Sequence, residues 1–317
     1  MTRSFVLLGL LATLGPGCLP TDTRPPPAEV TLTASSSEQT RTGIARTVDG
    51  YRIDFERLLI AVGQARIEDD GPSTTCSEYS DANYTRLFDF AQVGQAEKVN
   101  LVYALGHCAL TFTIRYPNLD AKLETGATDD DVEFMRTPGS DAYAMDAGVS
   151  VWVIGSATNG AGTKHFSWPF RERIGYAWCW VPGEDDTRVT GLTLESEGHV
   201  AVNVEMQAEA LFRDHVEPEL AQLRFQPFAD ADANADGDIT LDELDGIVLA
   251  ELDPPYVFPT EPNSNGRVPY FCADKEGNRV DVRTLGDYAY CALAPSIARF
   301  QGNGGCDVGT GRPSGDD

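Results

Sequence analysis

The run YRIDFERLLIAVGQARIE, Tyr51 to Glu68, carries apolar residues at a two-residue period and is rich in Ile, Leu and Val. Such alternation turns one face of an extended strand toward a core. Similar runs follow at RLFDF (86–90), ALTFTIRY (109–116), VSVWVIGSA (149–157), RIGYAWCWV (173–181) and HVAVNVEMQAEALF (199–212), separated by clusters of Gly, Asp, Asn and Pro. Repeated strands without long helical patterns between them predict an antiparallel β-sandwich over residues 46–212. One interruption, TDDDVEFMRT (128–137), sets Thr128 before three acids, as a capped first turn of a short helix requires.

Beyond Phe212 the pattern changes. HVEPELAQLRFQPFADAD (215–232) has apolar Leu220, Leu223 and Phe228, with Pro218 where a helix would begin. LDELDGIVLAEL (241–252) has Leu241, Leu244 and Val248 at helical spacing. The expected fold class is therefore α+β, an antiparallel β-sandwich followed by a C-terminal helical module over 213–306. Residues 307–317 are expected to be a flexible tail.

Between the two helical patterns lies DANADGDITLDE, Asp232 to Glu243. It resembles the EF-hand calcium loop position by position. Asp232, Asn234 and Asp236 stand first, third and fifth, each with a side-chain oxygen for the ion. Gly237 is sixth, where the chain turns with positive φ, and Asp238 is seventh, offering its backbone carbonyl. Ile239 packs inward, Thr240 reaches the ion directly or through water, and Glu243, twelfth, closes the set with a bidentate carboxylate. Oxygen-only ligation suits a hard cation of flexible coordination, so the cofactor implied is calcium. Starting the frame at Asp230 would put Ala235 at the glycine position, and that register fails. EF-hands usually pair through the residue at the eighth position. A degenerate, metal-free partner is expected in ADKEGNRVDVRTLGDYAYCALAPSIARF (273–300), with Val280 or Val282 beside Ile239 and TLGDYAYCAL as a helix.

The N-terminus and the cysteines lead to the expectation that the chain works outside the cytoplasm. The N-terminal MTRSFVLLGLLATLGPG (1–17) has Arg3, an apolar run from Phe5 to Leu14 and small residues leading to Cys18. That run is well short of the ~20 residues a bilayer span needs. It resembles a bacterial lipoprotein signal, with Gly15 and Pro16 departing from the usual Leu-Ala-Gly-Cys form. The resemblance implies an acylated Cys18 anchoring the chain in the lipid bilayer, and Leu19 after it points to the outer membrane. Residues 18–45, with a proline triplet and many Ser and Thr, are expected to be a tether, in which EVTLT could add an edge strand. Six of the seven cysteines then remain, Cys76, Cys108, Cys179, Cys272, Cys291 and Cys306. An even number in an exported protein points to disulfides, with fifteen pairings open. The pairing favoured is Cys76 with Cys108, Cys272 with Cys291, and Cys179 with Cys306. No C-x-x-C or H-x-x-x-H spacing supports zinc.

A net charge of -25, from 49 acids against 24 bases, disfavours nucleic acid or an anionic membrane surface as partner and favours cations. The four histidines, His107, His165, His199 and His215, are scattered singly. Even so, WVIGSATNGAGTKHFSWPF (152–170) and HVAVNVEMQAEALF resemble exported copper-binding β-sandwich proteins of the methanobactin-associated type, in which a strand leads into a small apolar turn beginning Leu-Phe. That resemblance implies, as a second reading, copper or haem handling by the sandwich histidines. A third reading is an envelope adhesion or structural module. Trp168, Trp178 and Trp180 are expected in the core or on a sheet face. No G-x-S-x-G, H-E-x-x-H or phosphate loop occurs, so no enzymatic activity is expected.

Overall fold

The computed structural model describes residues 25–69, 75–79, 85–139, 148–184, 187–258, 278–279 and 281–310. The signal segment, Cys18, Cys272 and Val280 lie outside these residues. The strands, in chain order, are β1 Ala28–Ser36, β2 Arg52–Asp69, β3 Cys76–Glu78, β4 Arg86–Asp89, β5 Glu97–Ile114, β6 Lys122–Leu123, β7 Val151–Asn159 and β8 Gly162–Phe170. They continue with β9 Ile174–Pro182, β10 Arg188–Thr190, β11 Leu192–Leu194, β12 His199–Met206, β13 Asp238–Ile239, β14 Ala298–Phe300 and β15 Gly305–Thr310. The helices are short: α1 Glu38–Thr42, α2 Asp129–Arg136, α3 Gln226–Asp230, α4 Leu241–Leu244 and α5 Leu285–Ser296.

All 15 strands belong to one curled sheet, whose main path runs β13-β8-β7-β2-β5-β1-β12-β14. The long strands β2 and β5 make the curl. Residues 52–60 of β2 pair with β7, whereas residues 62–69 pair with β5 across a bulge where Gln64 takes a φ of 50°. Likewise β5 pairs first with β1, then with β2 and β9. Bulges let a strand bend and change partner without losing its ladder.

This architecture corrects the expected fold class in three ways. First, the sheet is mixed rather than antiparallel, because β1–β12, β4–β6 and β13–β8 are parallel pairs. Parallel pairing joins residues far apart in sequence and leaves no mark in local alternation. Second, the described residues form no C-terminal helical module. The residues after 213 contribute β13, β14 and β15 to the same sheet and share its core with residues before 213. The leading helix begins with Pro227 near its N-terminus instead of Pro218, and spans only five residues. The segment before it is held by strand-like contacts, with Arg224 N donating to Phe212 O and Val48 N donating to Leu223 O. Third, the stretch assigned to the tether contains β1, which lies between β5 and β12. Its burial alternates strictly along AEVTLTASS, with Ala28, Val30, Leu32 and Ala34 inward. The expected tail likewise begins inside β15.

The helix expected at Thr128 is present as α2, with a capping box between Thr128 and Asp131. Two disulfides, Cys76–Cys108 and Cys179–Cys306, have the partners favoured from the sequence. Cys291 is also disulfide-bonded. Among the described residues no helix is long and apolar enough to cross a membrane, which says nothing of strands.

Buried Glu209 accepts from Ser37 Oγ at 2.8 Å and Thr40 Oγ1 at 3.0 Å. Burial, opposed by these bonds and by Arg213, raises its carboxyl above the ordinary 4.5. The folded state then holds this proton more tightly than the unfolded chain. Its stabilising contribution is complete below about pH 4.5 and is lost as pH rises through the raised folded value. Urea midpoints from pH 4 to 7 should therefore show a decline that is shallower in Glu209→Gln.

Candidate metal site: the acidic loop

The loop from Asp232 to Glu243 grows out of the aromatic core. Phe225 and Phe228, both fully buried, flank the start of α3 and hold the chain against Phe212 at ring distances of 5.6 and 5.3 Å. The N–H groups of Phe225 and Gln226 both donate to Asp49 Oδ2, at 2.8 and 2.7 Å, so an aspartate from a distant turn caps α3.

The first half of the loop wraps around its own side chains. Asp232 Oδ1 accepts from Asp236 N at 3.2 Å and Oδ2 accepts from Gly237 N at 3.0 Å. Asn234 Oδ1 accepts from the same Asp236 N at 2.9 Å, and Asn234 Nδ2 donates to Asp236 Oδ2 at 2.9 Å. Asp236 Oδ1 accepts from Asp238 N at 2.8 Å. The side chains at the first, third and fifth positions are thus turned onto one turn of backbone. Gly237 makes that turn with a φ of 90°, which a residue with a Cβ would adopt only under strain.

A cation is already part of the arrangement. Lys164, from β8, pairs with Asp232 Oδ2, and the Asp232 side chain is wholly covered. The hydrogen bond from Lys164, opposed by burial and aided by the N–H of Gly237, holds this carboxyl below its usual range. Asp232 is therefore ionised wherever a metal would compete for it.

The second half docks on the sheet. Ile239 is buried, and β13 runs parallel to β8 with Asp238 opposite His165 and Ile239 opposite Phe166. His165 N donates to Gly237 O at 2.8 Å, and Trp168 Nε1 donates to Ile239 O at 2.9 Å. The eighth position of the loop thus pairs with the sheet edge, and among the described residues none of 273–300 is paired with it, Val282 included; Val280 lies outside the described residues. Helix α5 does form within that segment, but its start pairs with the chain after α4, where Leu285 N donates to Ile247 O and Leu249 N donates to Arg283 O.

Glu243 faces its own helix. Its Oε2 accepts from Thr240 N and Thr240 Oγ1, both at 2.9 Å, while Thr240 Oγ1 accepts from Glu243 N at 3.3 Å, a capping box for α4. With Glu243 so engaged, Asp232 and Asp236 are the acids turned onto the loop. Correspondingly, no group of three or more His, Cys, Asp or Glu side chains suited to a metal is found among the described residues. The oxygen-only donor chemistry fits calcium in the first half of the loop. The twelfth-position ligand would have to leave its cap to join it.

The histidines sit on separate elements. His107 Nδ1 on β5 lies 3.4 Å from Thr193 Oγ1, and His199 Nδ1 on β12 lies 3.9 Å from Glu29. His165 sits on β8 opposite Asp238, and His215 Nδ1 accepts from Glu217 N at 2.9 Å. Of the tryptophans, Trp168 is buried, Trp180 half-buried and Trp178 exposed.

No family model matches the chain, and no curated protein matches it. Among solved structures, MbnP from Methylosinus trichosporium aligns over 60% of this chain and 78% of its own length, at 12% identity and a TM-score of 0.27. A likeness that loose carries no argument about this chain.

Proposed function

We propose that the loop Asp232–Glu243 binds one calcium ion and that the chain is an exported, lipid-anchored protein of the cell envelope. The observation that carries this reading is the inward set of Asp232, Asn234 and Asp236 side chains around Gly237, with the Lys164 ammonium seated on Asp232. Calcium acts as a brace. The loop bridges the fully buried Phe228 on one side and the β8 edge on the other, so an ion bound there holds α3 and β13 in place. It also guards an edge strand that would otherwise be open to pairing with another chain. Outside the cytoplasm, where calcium is abundant, affinities of about 10⁻⁴ to 10⁻³ M suffice for such a role. Two disulfides support the same compartment.

Thermal melting of the purified full chain in calcium against chelator provides the test. At a hundredfold excess over Kd, calcium adds about 2.7 kcal/mol and raises the melting temperature by several degrees. Glu243→Gln keeps the cap on α4 through its side-chain oxygen but removes the carboxylate, so most of the rise disappears. An equal rise in both proteins would sink the assignment of Glu243, and no rise in either would sink the brace.

A further inference from the structure

A cleft of about 360 Å³ opens between β9, β15, the turn at 216–219 and the end of α5. Its size is at the low end of small-molecule sites. Tyr176, Trp180, Val216 and Phe258 supply apolar wall, and the Cys179–Cys306 bridge ties β9 to β15 beside it.

One cation in this wall has no partner among the described residues. Trp180 contributes its ring alone, because its Nε1 is buried beneath the cleft surface. Arg299, on β14, is half-buried, and its side chain makes no hydrogen bond or ion pair with any described residue. Burial, together with the neighbouring Arg213, pushes its guanidinium below the usual range, against an opposing pull from Glu219. A partly desolvated cation costs free energy unless something accepts from it. The other arginine, Arg188, is already placed, 4.3 Å over the Trp180 ring and 3.7 Å from Asp307.

The rim has the opposite sign. Glu217 and Glu219 line the cleft and are exposed to solvent. In a chain of net charge -25, such a rim repels a simple anion, while the deeper Arg299 repels a simple cation. A molecule carrying both charges meets neither barrier.

We propose that this cleft binds a zwitterion of amino-acid or dipeptide size, with its carboxylate toward Arg299, its apolar part along the aromatic wall and its ammonium at the Glu217–Glu219 rim. The site is independent of the acidic loop, and binding should be the same in chelator as in calcium.

Calorimetric titration of the full chain at pH 7 tests this with L-phenylalanine and glycyl-phenylalanine as probes. Phenylacetate lacks the ammonium and phenethylamine lacks the carboxylate, and they serve as controls. At least one zwitterion should bind about tenfold or more tightly than both truncated compounds, a difference of about 1.4 kcal/mol. Arg299→Gln should abolish that binding. Glu219→Gln should weaken the zwitterion while leaving phenylacetate equal or tighter, which separates a ligand contact from a general loss of structure. Silence for both zwitterions at about 10 mM, equal binding of phenethylamine, or an unchanged Arg299→Gln protein would overturn the proposal. If Arg299→Gln does not melt cooperatively, the selectivity change in Glu219→Gln decides alone.

Discussion

Phe212→Ala is expected to cost about 4 kcal/mol, the middle of the range for truncating a buried phenylalanine. Phe212 is fully buried and is the hub of the aromatic core. Its ring lies 6.0 Å from Phe55, 5.6 Å from Phe166, 5.8 Å from Trp168, 5.6 Å from Phe225 and 5.3 Å from Phe228. These rings come from β2, β8 and the start of α3, so the cavity left behind has walls that cannot collapse without moving the sheet. Urea unfolding measures the cost as a lower midpoint at unchanged slope. Leu119→Ala, at a side chain 84% exposed, is the control and should shift stability by less than about 0.5 kcal/mol. Because α3 rests on Phe212, the variant should also bind calcium more weakly.

The second large effect is expected at Asp89. Its side chain is fully buried and accepts from Leu58 N at 2.9 Å, Ala91 N at 3.2 Å, Gln92 Nε2 at 2.9 Å and Arg57 Nε. Arg57 in turn reaches Asp131 in the α2 capping box at 2.7 Å and Gly126 O at 3.2 Å. One carboxylate therefore joins β2, the turn after β4 and the helix that covers them. Asp89→Ala leaves two backbone N–H groups and a mostly covered guanidinium without their acceptor. About 3 kcal/mol is expected, from the known cost of breaking a buried pair by removing one partner. Asp89→Asn, which keeps an acceptor oxygen but not the charge, should cost less. If both variants unfold at the wild-type urea midpoint, the network is not holding these elements together.

The strands β2, β4, β7, β9, β12 and the second half of β5 were legible because their alternation is a direct consequence of one-sided burial, whereas the short β3, β6, β10 and β11 were not. What decided the architecture was not local. In β1, the inward residues Ala28, Val30, Leu32 and Ala34 are mostly small and the outward ones include Thr31 and Thr33, so the composition resembles a tether although the period is two. Its parallel partner β12 is remote in sequence, and only the closed sheet reveals that the segment is central. The helical spacing of Leu241, Leu244 and Val248 misled for a different reason. Helix α4 stops at Leu244, and Val248, 41% exposed, instead forms a β-bridge with Thr284. A four-residue helix adds little beyond its nucleus, so tertiary bridges win over spacing.

Within the loop, the sequence identified the inward oxygens and the glycine turn. It did not reveal Lys164, whose role depends on β8 lying beside the loop, or the attachment of Ile239 to Phe166. Nor did it reveal Arg299 and Trp180, which line one cleft only because β9, β14 and β15 come together. An arginine without a nearby acid in the sequence carries no local signal of that kind.

Lys164 also provides the most direct test of calcium binding, because it is the cation the metal must displace from Asp232. Equilibrium dialysis of radioactive calcium against the full chain, Lys164→Met and Asp232→Asn/Asp236→Asn counts the ions and ranks the affinities together. One ion per chain is expected, bound about tenfold more tightly in Lys164→Met and lost in the double variant, since removing a competing charge and removing ligand charge act in opposite directions. Calcium bound equally by all three proteins, or by none, would contradict the assignment of the ion to this loop.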